Sequence, residues 1–299
     1  MIAASARVAR TRPSREVVET RVLGVLKWVT IACFLIVTVF PFYYMVLLSM
    51  RSIDQVILNP SAMVVPLRQV TVAAYRSVLR SASHGGQGFL RFIANSGLVA
   101  IGTVLVTIAF AIPGAYAVSR LRFFGKRPIH YLFFAVYLFP AIVLAIPLFV
   151  LFSRLGLRGS LPTLVVVYVA QTLPVSIYML RNYLETVPRS LEEAAAVDGA
   201  GRLQIIWKVS IPLAMPAIVA TALYVFMIAW NEFLFALLFL LEHRENWTVS
   251  LGLSQLHTIE TPTTVLMAGS VILTIPVVVL FFLAERLLVE GLTSGAEKG

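Results

Sequence analysis

Six apolar runs, parted by polar and charged segments, organise this 299-residue chain. They lie at about 28–50, 95–118, 129–152, 161–180, 212–241 and 263–284. Each reaches the ~20 residues that a helix needs to cross hydrocarbon. The fifth run, 212–241, would make about 45 Å of helix against a core of about 30 Å, so it is expected to tilt or to begin in the interface. Prolines at 41, 113, 140, 147, 174 and 276 lie inside the runs. They predict kinks or interruptions, because each removes one backbone donor that neighbouring helices must make good. Residues 51–94 are too polar to span; within them Thr71–Leu79 predicts a short helix with Val72, Tyr75 and Leu79 on one face. The remaining polar segments are a basic loop at 120–127, a short link at 153–160, a long loop at 181–211 and another at 242–262. No internal repeat is evident.

Composition turns this pattern into a class. The chain is 59% hydrophobic and 13% charged, with a mean hydropathy of +0.90. A soluble domain carries about 25% charged residues, so the chain reads as an all-α, polytopic membrane protein. The net charge of +10 would suggest nucleic acid in a soluble protein. Here it follows from where the basic residues sit: 16 of the 24 Lys and Arg fall on the side holding both termini and the 181–211 loop, which makes that side cytoplasmic. The first run is too long for a signal-peptide core and is a retained span. The organisation is a basic N-terminal arm at 1–27, a six-helix membrane domain at 28–288, and a cytoplasmic tail at 289–299. Cys33 is alone, which excludes an intrachain disulfide and a cysteine metal site. His84, His130, His243 and His257 lack ligand spacing, so no metal is expected.

The most informative stretch is the polar island Glu193–Pro212. Ser190 and Glu193 have capping-box spacing for a short helix. Glu192 and Glu193 fall in its first turn, where the helix dipole favours them, and Gly199 and Gly201 are natural stops. Ala194, Ala195 and Ala196 keep the helix slim, so a groove in another protein could close around it. Periodicity alone favours an ordinary amphipathic helix lying on the membrane surface. The spacing, however, is Glu-Ala-Ala, three residues, Gly199, nine residues, Val209, one residue, Ile211-Pro212. It resembles the Glu-Ala-Ala-x3-Gly-x9-Ile-x-Leu-Pro signature of permease subunits of bacterial ABC importers, with Val209 and Ile211 as apolar replacements. In that family the segment is the coupling helix, held in a groove of a separate ATPase subunit. The resemblance thereby assigns ATPase coupling to Glu192, Glu193, Ala194, Ala195, Asp198, Gly199 and Pro212.

Two further stretches resemble the MalG-like branch of carbohydrate importers. The tail Gly291-Leu-Thr-Ser-Gly-Ala-Glu-Lys-Gly299 is similar to a terminal Gly-Leu-Thr-x-Gly-Ala-Val-Lys-Gly that lies against the ATPase pair, with Glu297 replacing Val. Trp230-Asn231-Glu232-Phe233 resembles a Trp-Asn-x-Phe stretch of the same branch. Asn231 and Glu232 are the most polar pair inside any span, and an acid at that depth should face a cavity or a partner. Aromatic faces beside amide and carboxylate groups suit a sugar, so Trp230, Asn231, Glu232 and Phe233, with Gln171 and Thr172 as weaker candidates, are expected along a translocation path. Helix-to-helix packing is the competing role for each.

The resemblance implies six transmembrane helices in the type I (MetI-like) importer fold, in a bacterial cytoplasmic (inner) membrane with both termini cytoplasmic. It implies a MalF-like second permease, two ATPase subunits and an extracytoplasmic solute-binding protein as partners, in addition to the lipid membrane, and no nucleic acid. The sequence has no Gly-x4-Gly-Lys-Ser/Thr loop; Gly125-Lys126 lacks the upstream glycine and the following hydroxyl. The chain is therefore expected to bind no cofactor, to be no enzyme, and to depend on ATP used by a partner. Importers of glycerol phosphate or polyamine share the architecture, but a phosphate ligand asks for Arg or Lys within the spans, and none is there. An ion-coupled secondary carrier would leave the signature loop unexplained.

Overall fold

The computed structural model describes residues 15–126, 128, 135, 138, 140–256 and 261–296. Most of the expected arm, the start of the third run with His130, His257 and the tail residues 297–299 lie outside them. Among the described residues the fold is helical, with no strand.

The long helices are α1 (Arg15–Ser49), α4 (Phe89–Arg120), α6 (Leu161–Thr186) and α12 (Thr263–Ala296), with α5 (Ala141–Arg154) shorter. Short helices α2 (Ile53–Leu58) and α3 (Ala73–Leu79) occupy the segment after α1, and α7 (Arg189–Val197) follows α6. The fifth apolar run is split into α8 (Arg202–Leu213), α9 (Met215–Asn231) and α10 (Leu234–Leu240), and α11 (Val249–Gln255) precedes α12. Four described helices are long and apolar enough to cross a membrane, or five if the bent α8–α9 pair is taken as one broken span. The 14-residue α5 is the continuous described stretch of the expected third span, after residues 135, 138 and 140.

Three boundaries differ from expectation. First, α1 begins well before residue 28 and α12 continues past 284 to Ala296, because good helix formers such as Glu16, Glu19, Glu285 and Leu287 extend the helix beyond the apolar run. Second, α3 starts at Ala73 and buries Ala74 and Val78; Tyr75 and Leu79 border the same core, but Val72, its N-cap, is exposed. Third, the helices run on through Pro41, Pro113, Pro147, Pro174 and Pro276. Pro140 does interrupt the third run, as the extended N-cap of α5, and a further break falls at the start of the fifth. α8 and α9 meet at 78°, between Pro212 and Pro216, where two missing N–H groups within five residues defeat the ladder.

The bundle is built on α4. Its most extensive partner is α6, followed by α9. Small residues let these backbones approach: Ala100, Ala111 and Ala115 are fully buried, and a Cβ on Gly114 would lie 3.1 Å from Ile177. Thr107 and Thr172 share a hydrogen bond of 3.1 Å across the pair. One core cluster, with Phe89, Phe92, Leu164, Tyr168, Phe235 and Phe239, fills the end of the bundle near α3, α10 and α11. A second, with Ala115, Tyr116, Leu180, Leu184 and Ala214, fills the end near α7. Between the elements of the first cluster, Asn95 Nδ2 donates to the carbonyls of Glu245 and Trp247, both at 2.9 Å, and Ser96 Oγ accepts from Val249 N–H at 2.8 Å.

Gly252 sits where α11 crosses α4; an added Cβ would stand 2.5 Å from the ring of Phe92, which is 3% exposed. Gly252→Ala is expected to destabilise by about 1–3 kcal/mol through overpacking. Gly97→Ala, on α4 with open space around its Cα, should gain a few tenths to about 1 kcal/mol instead. Thermal unfolding of the two variants in detergent, against wild type, should move in opposite directions.

Candidate functional site

At the α7 end of the bundle, the two adjacent glutamates part company. Glu192 is 8% exposed, while Glu193 is exposed and has no ion-pair partner among the described residues. Glu192 Oε1 accepts from Arg120 Nε at 3.0 Å and from Ser210 Oγ at 3.1 Å. Arg120 is the last residue of α4, and its Nη2 also donates to the carbonyl of Val187, just before α7, at 2.9 Å. Arg189, the first residue of α7, returns the contact by donating to the Ser119 carbonyl at 3.4 Å. That carbonyl is one of those a helix end leaves unpaired. Side-chain exposures of 6% and 10% make Arg120–Glu192 a buried pair, so loss of either partner leaves an uncompensated charge, at a cost of about 3–5 kcal/mol.

The N-terminus of α7 differs from the capping box expected of Ser190 and Glu193. Pro188 is the N-cap, with no side-chain cap bond, and Ser190 lies within the first turn. Proline's fixed φ sets the entry to the helix, and Arg120 occupies the carbonyl of Val187 before it. The C-terminus ends as expected: Gly199, at φ +84°, takes the left-handed position. Ala200 N–H then reaches the Ala195 carbonyl at 3.0 Å, and Gly199 N–H the Ala196 carbonyl at 3.1 Å, a Schellman closure. With Glu192 turned into the bundle, Leu191, Ala194 and Val197 are exposed at three-residue steps, and Val197 is 87% exposed. Gly201 opens α8 instead of ending α7. Residues Ile206–Ser210 form a π-helical turn, which brings Ser210 to Glu192; Pro212 and Asp198 are exposed.

In the fifth run the chain breaks at Glu232, between α9 and α10. The Glu232 carboxylate accepts the N–H groups of Phe235 at 2.9 Å and Ala236 at 3.2 Å, and the Tyr168 hydroxyl at 2.5 Å. Its own carbonyl accepts from Ser250 Oγ at 2.6 Å. Three backbone groups at the break are thus satisfied from inside the chain, as apolar surroundings favour. Trp230 is packed inside, 3% exposed, with its indole N–H on the Leu273 carbonyl at 2.9 Å. Asn231 and Phe233 are exposed, and Asn231 Nδ2 donates to the Met227 carbonyl at 2.9 Å.

Gln171 lies apart from these residues, on the wall of a cavity of about 530 Å³ between α5, α6 and α9. Leu148, Phe152, Tyr224 and Phe235 share that wall. Thr172 lines it too, although its hydroxyl is turned to Thr107 and to the Tyr168 carbonyl. Phe235 belongs to both places: its N–H is capped by Glu232 and its residue lines the cavity.

Arg120, Ser210, Tyr168 and Tyr224 were not singled out by sequence. Arg120 had a readable signal, a cation at the end of an apolar run and hence beside the carbonyls of a helix C-terminus. Tyr168 had one as well, a hydroxyl in the middle of a span, where a polar group needs a partner. The partners themselves, 72 and 64 residues away in sequence, had none.

Comparison with known proteins agrees with this architecture. Residues 107–293 match the family described as "Binding-protein-dependent transport system inner membrane component". The chain is 38% identical over 273 residues to the inner membrane ABC transporter permease protein YcjP of Escherichia coli, covering 90% of this chain and 94% of that protein. It is 36% identical over 287 residues to the trehalose/maltose transport system permease protein MalG of Thermococcus litoralis, covering 95% and 99%. Among solved structures, a chain of a bacterial ABC transporter involved in the import of the acidic polysaccharide alginate superposes with a TM-score of 0.75 at 26% identity, covering 92% of this chain and 98% of that one. The apolar bundle, the bent fifth run and a family match from the middle of α4 to the last helix lead to one assignment: the chain belongs to the family of binding-protein-dependent transport system inner-membrane components, the permease subunits of ABC importers.

Proposed function

We propose that this chain forms half of the translocation path of an ATP-driven sugar importer and takes its energy from a separate ATPase through α7. The carrying observation is the division of α7 into two faces: Glu192 is anchored in the bundle, while Glu193 and the apolar positions Leu191, Ala194 and Val197 are left exposed. An exposed apolar stripe rimmed by charge suits a protein groove. The signature spacing of Glu193, Ala194, Ala195, Gly199 and Pro212 supports the same reading. In this reading both termini and α7 are cytoplasmic, a MalF-like permease completes the path, two ATPase subunits bind below, and a solute-binding protein delivers from the outer side. No nucleotide is bound by the chain itself. Trehalose, maltose and other glycosides are named for its relatives, which supports a sugar as cargo.

The path is proposed to run past Asn231 and Phe233 and into the cavity that holds Gln171. The amide of Gln171 and the ring of Phe152 offer the hydrogen bond and the apolar face that a sugar presents partners for. Glu232 holds the wall in shape rather than facing the solute, and Trp230 packs behind it.

Two measurements test this reading. Co-purification of the cognate ATPase should fall for Glu193→Ala and Gly199→Asp while membrane insertion is kept; undiminished association with full uptake would return α7 to a surface helix. The Gly199 substitution adds the strain of a side chain at a left-handed residue, about 1–2 kcal/mol. Gln171→Ala should raise KM for trehalose or maltose uptake about 3- to 10-fold, the worth of one hydrogen bond, with association unchanged. An unaltered KM would remove Gln171 from the path.

A further inference from the structure

We propose that Arg120, Glu192 and Ser210 form a clamp that makes α7, the end of α4 and α8 one rigid body, so that movement of α7 reaches both neighbouring elements undiminished. This rests on the reading of α7 as the coupling helix, and it assigns to these three residues a positioning role in transmission.

The chain around α7 gives little stiffness of its own. Only Val187 and Pro188 separate it from α6, and Asp198–Gly201, with a left-handed glycine, separate it from α8. A short helix on two loops would rock when pushed, and the push would be lost in the loops. Four contacts oppose this. Arg120 holds α7 through the Glu192 carboxylate at 3.0 Å and holds the entrance of α7 through the Val187 carbonyl at 2.9 Å. Arg189 ties α7 back to the α4 terminus through the Ser119 carbonyl. Ser210 brings in α8 through the same Glu192 oxygen that Arg120 uses. The guanidinium is a planar fork, so two acceptors fix its orientation as well as its position. Beneath it, Tyr116, Leu180, Leu184 and Ala214 close the apolar cluster that joins α4, α6 and the α8–α9 corner. The π-helical turn at Ile206–Ser210 is the local irregularity that aims Ser210 at the carboxylate.

Stability and transmission are separable here, because a buried pair replaced as a whole by apolar residues of similar volume need not destabilise. Arg120→Met with Glu192→Leu removes both charges together. Spin labels at Phe110→Cys on α4 and Ala196→Cys on α7, both exposed positions, report whether the two helices move together; Cys33→Ala removes the native thiol, and because Ala196 belongs to the docking helix the labelled importer with the clamp intact is first required to keep wild-type ATPase association and stimulated hydrolysis. The assembled importer is measured without nucleotide and with ATP and vanadate trapped at the ATPase. With the clamp intact the label-to-label distance should be the same in both states. In the double variant it should differ between the states by more than the width of the wild-type distribution, and ATP hydrolysis stimulated by loaded binding protein should fall about fivefold or more. A distance that changes in the intact clamp overturns the proposal without any clamp variant, and so does a distance that stays fixed, with full stimulation, in the double variant. Association of the ATPase with Glu193→Ala is scored separately: if it survives undiminished, the coupling-helix reading fails, whatever the labels report about the clamp.

Discussion

A backbone group with no water to turn to must find its partner inside the protein, and that requirement shapes this fold. It is met along α4, α6, α9 and α12 by the helices themselves. It becomes demanding where a helix stops. At Glu232 the chain leaves α9, and two free N–H groups in the first turn of α10 are taken up by the carboxylate of the residue at the break. At the end of α4 the carbonyl of Ser119 is taken up by Arg189. In both places a charged side chain serves as structure, and in both it also decides where a neighbouring helix lies. These two charged side chains sit at discontinuities, which is where a transporter must bend.

The same economy separates the roles of adjacent residues. Glu192 and Glu193 are chemically identical and differ by one helical step of 100°. One is drawn into the bundle by Arg120 and Ser210, and the other is left exposed for another surface. At the broken fifth run, Trp230 and Glu232 are engaged internally while Asn231 and Phe233 alternate outward. In each pair, one residue fixes the element so that the next can be presented in a defined place.

Much of this was legible in the sequence. Run length gave the spans, and the spacing from Glu193 to Pro212 gave the family, because both are local quantities. The stop at Gly199 was legible for the same reason. The start of α7 was not: the spacing of Ser190 and Glu193 fits a capping box, but Pro188 had already set the backbone two residues earlier. Proline positions were an uneven guide to breaks: the helices run on through Pro113 and Pro174, but stop at Pro140 and bend where Pro212 and Pro216 crowd together, and the break at Glu232 has no proline. Glu232 was read by its depth, which suggested a solute. Its partner, Tyr168, lies in another helix, and no local pattern shows that the carboxylate is already occupied. The cavity beside Gln171 is likewise a property of three helices at once.

The arrangement of α1 bears on how the chain is made. Along its length α1 leaves large apolar side chains such as Trp28, Phe34, Leu35 and Ile36 exposed, and the helix that packs along it is α12. The earliest described helix is thus matched to the last described one. About 200 residues separate the end of α1 from the start of α12, so at ordinary rates of synthesis α1 waits roughly 10–40 s in the bilayer before its intrachain partner exists. During that interval its apolar surface is open to lipid or to another subunit being made nearby, and the order of translation becomes part of the order of assembly.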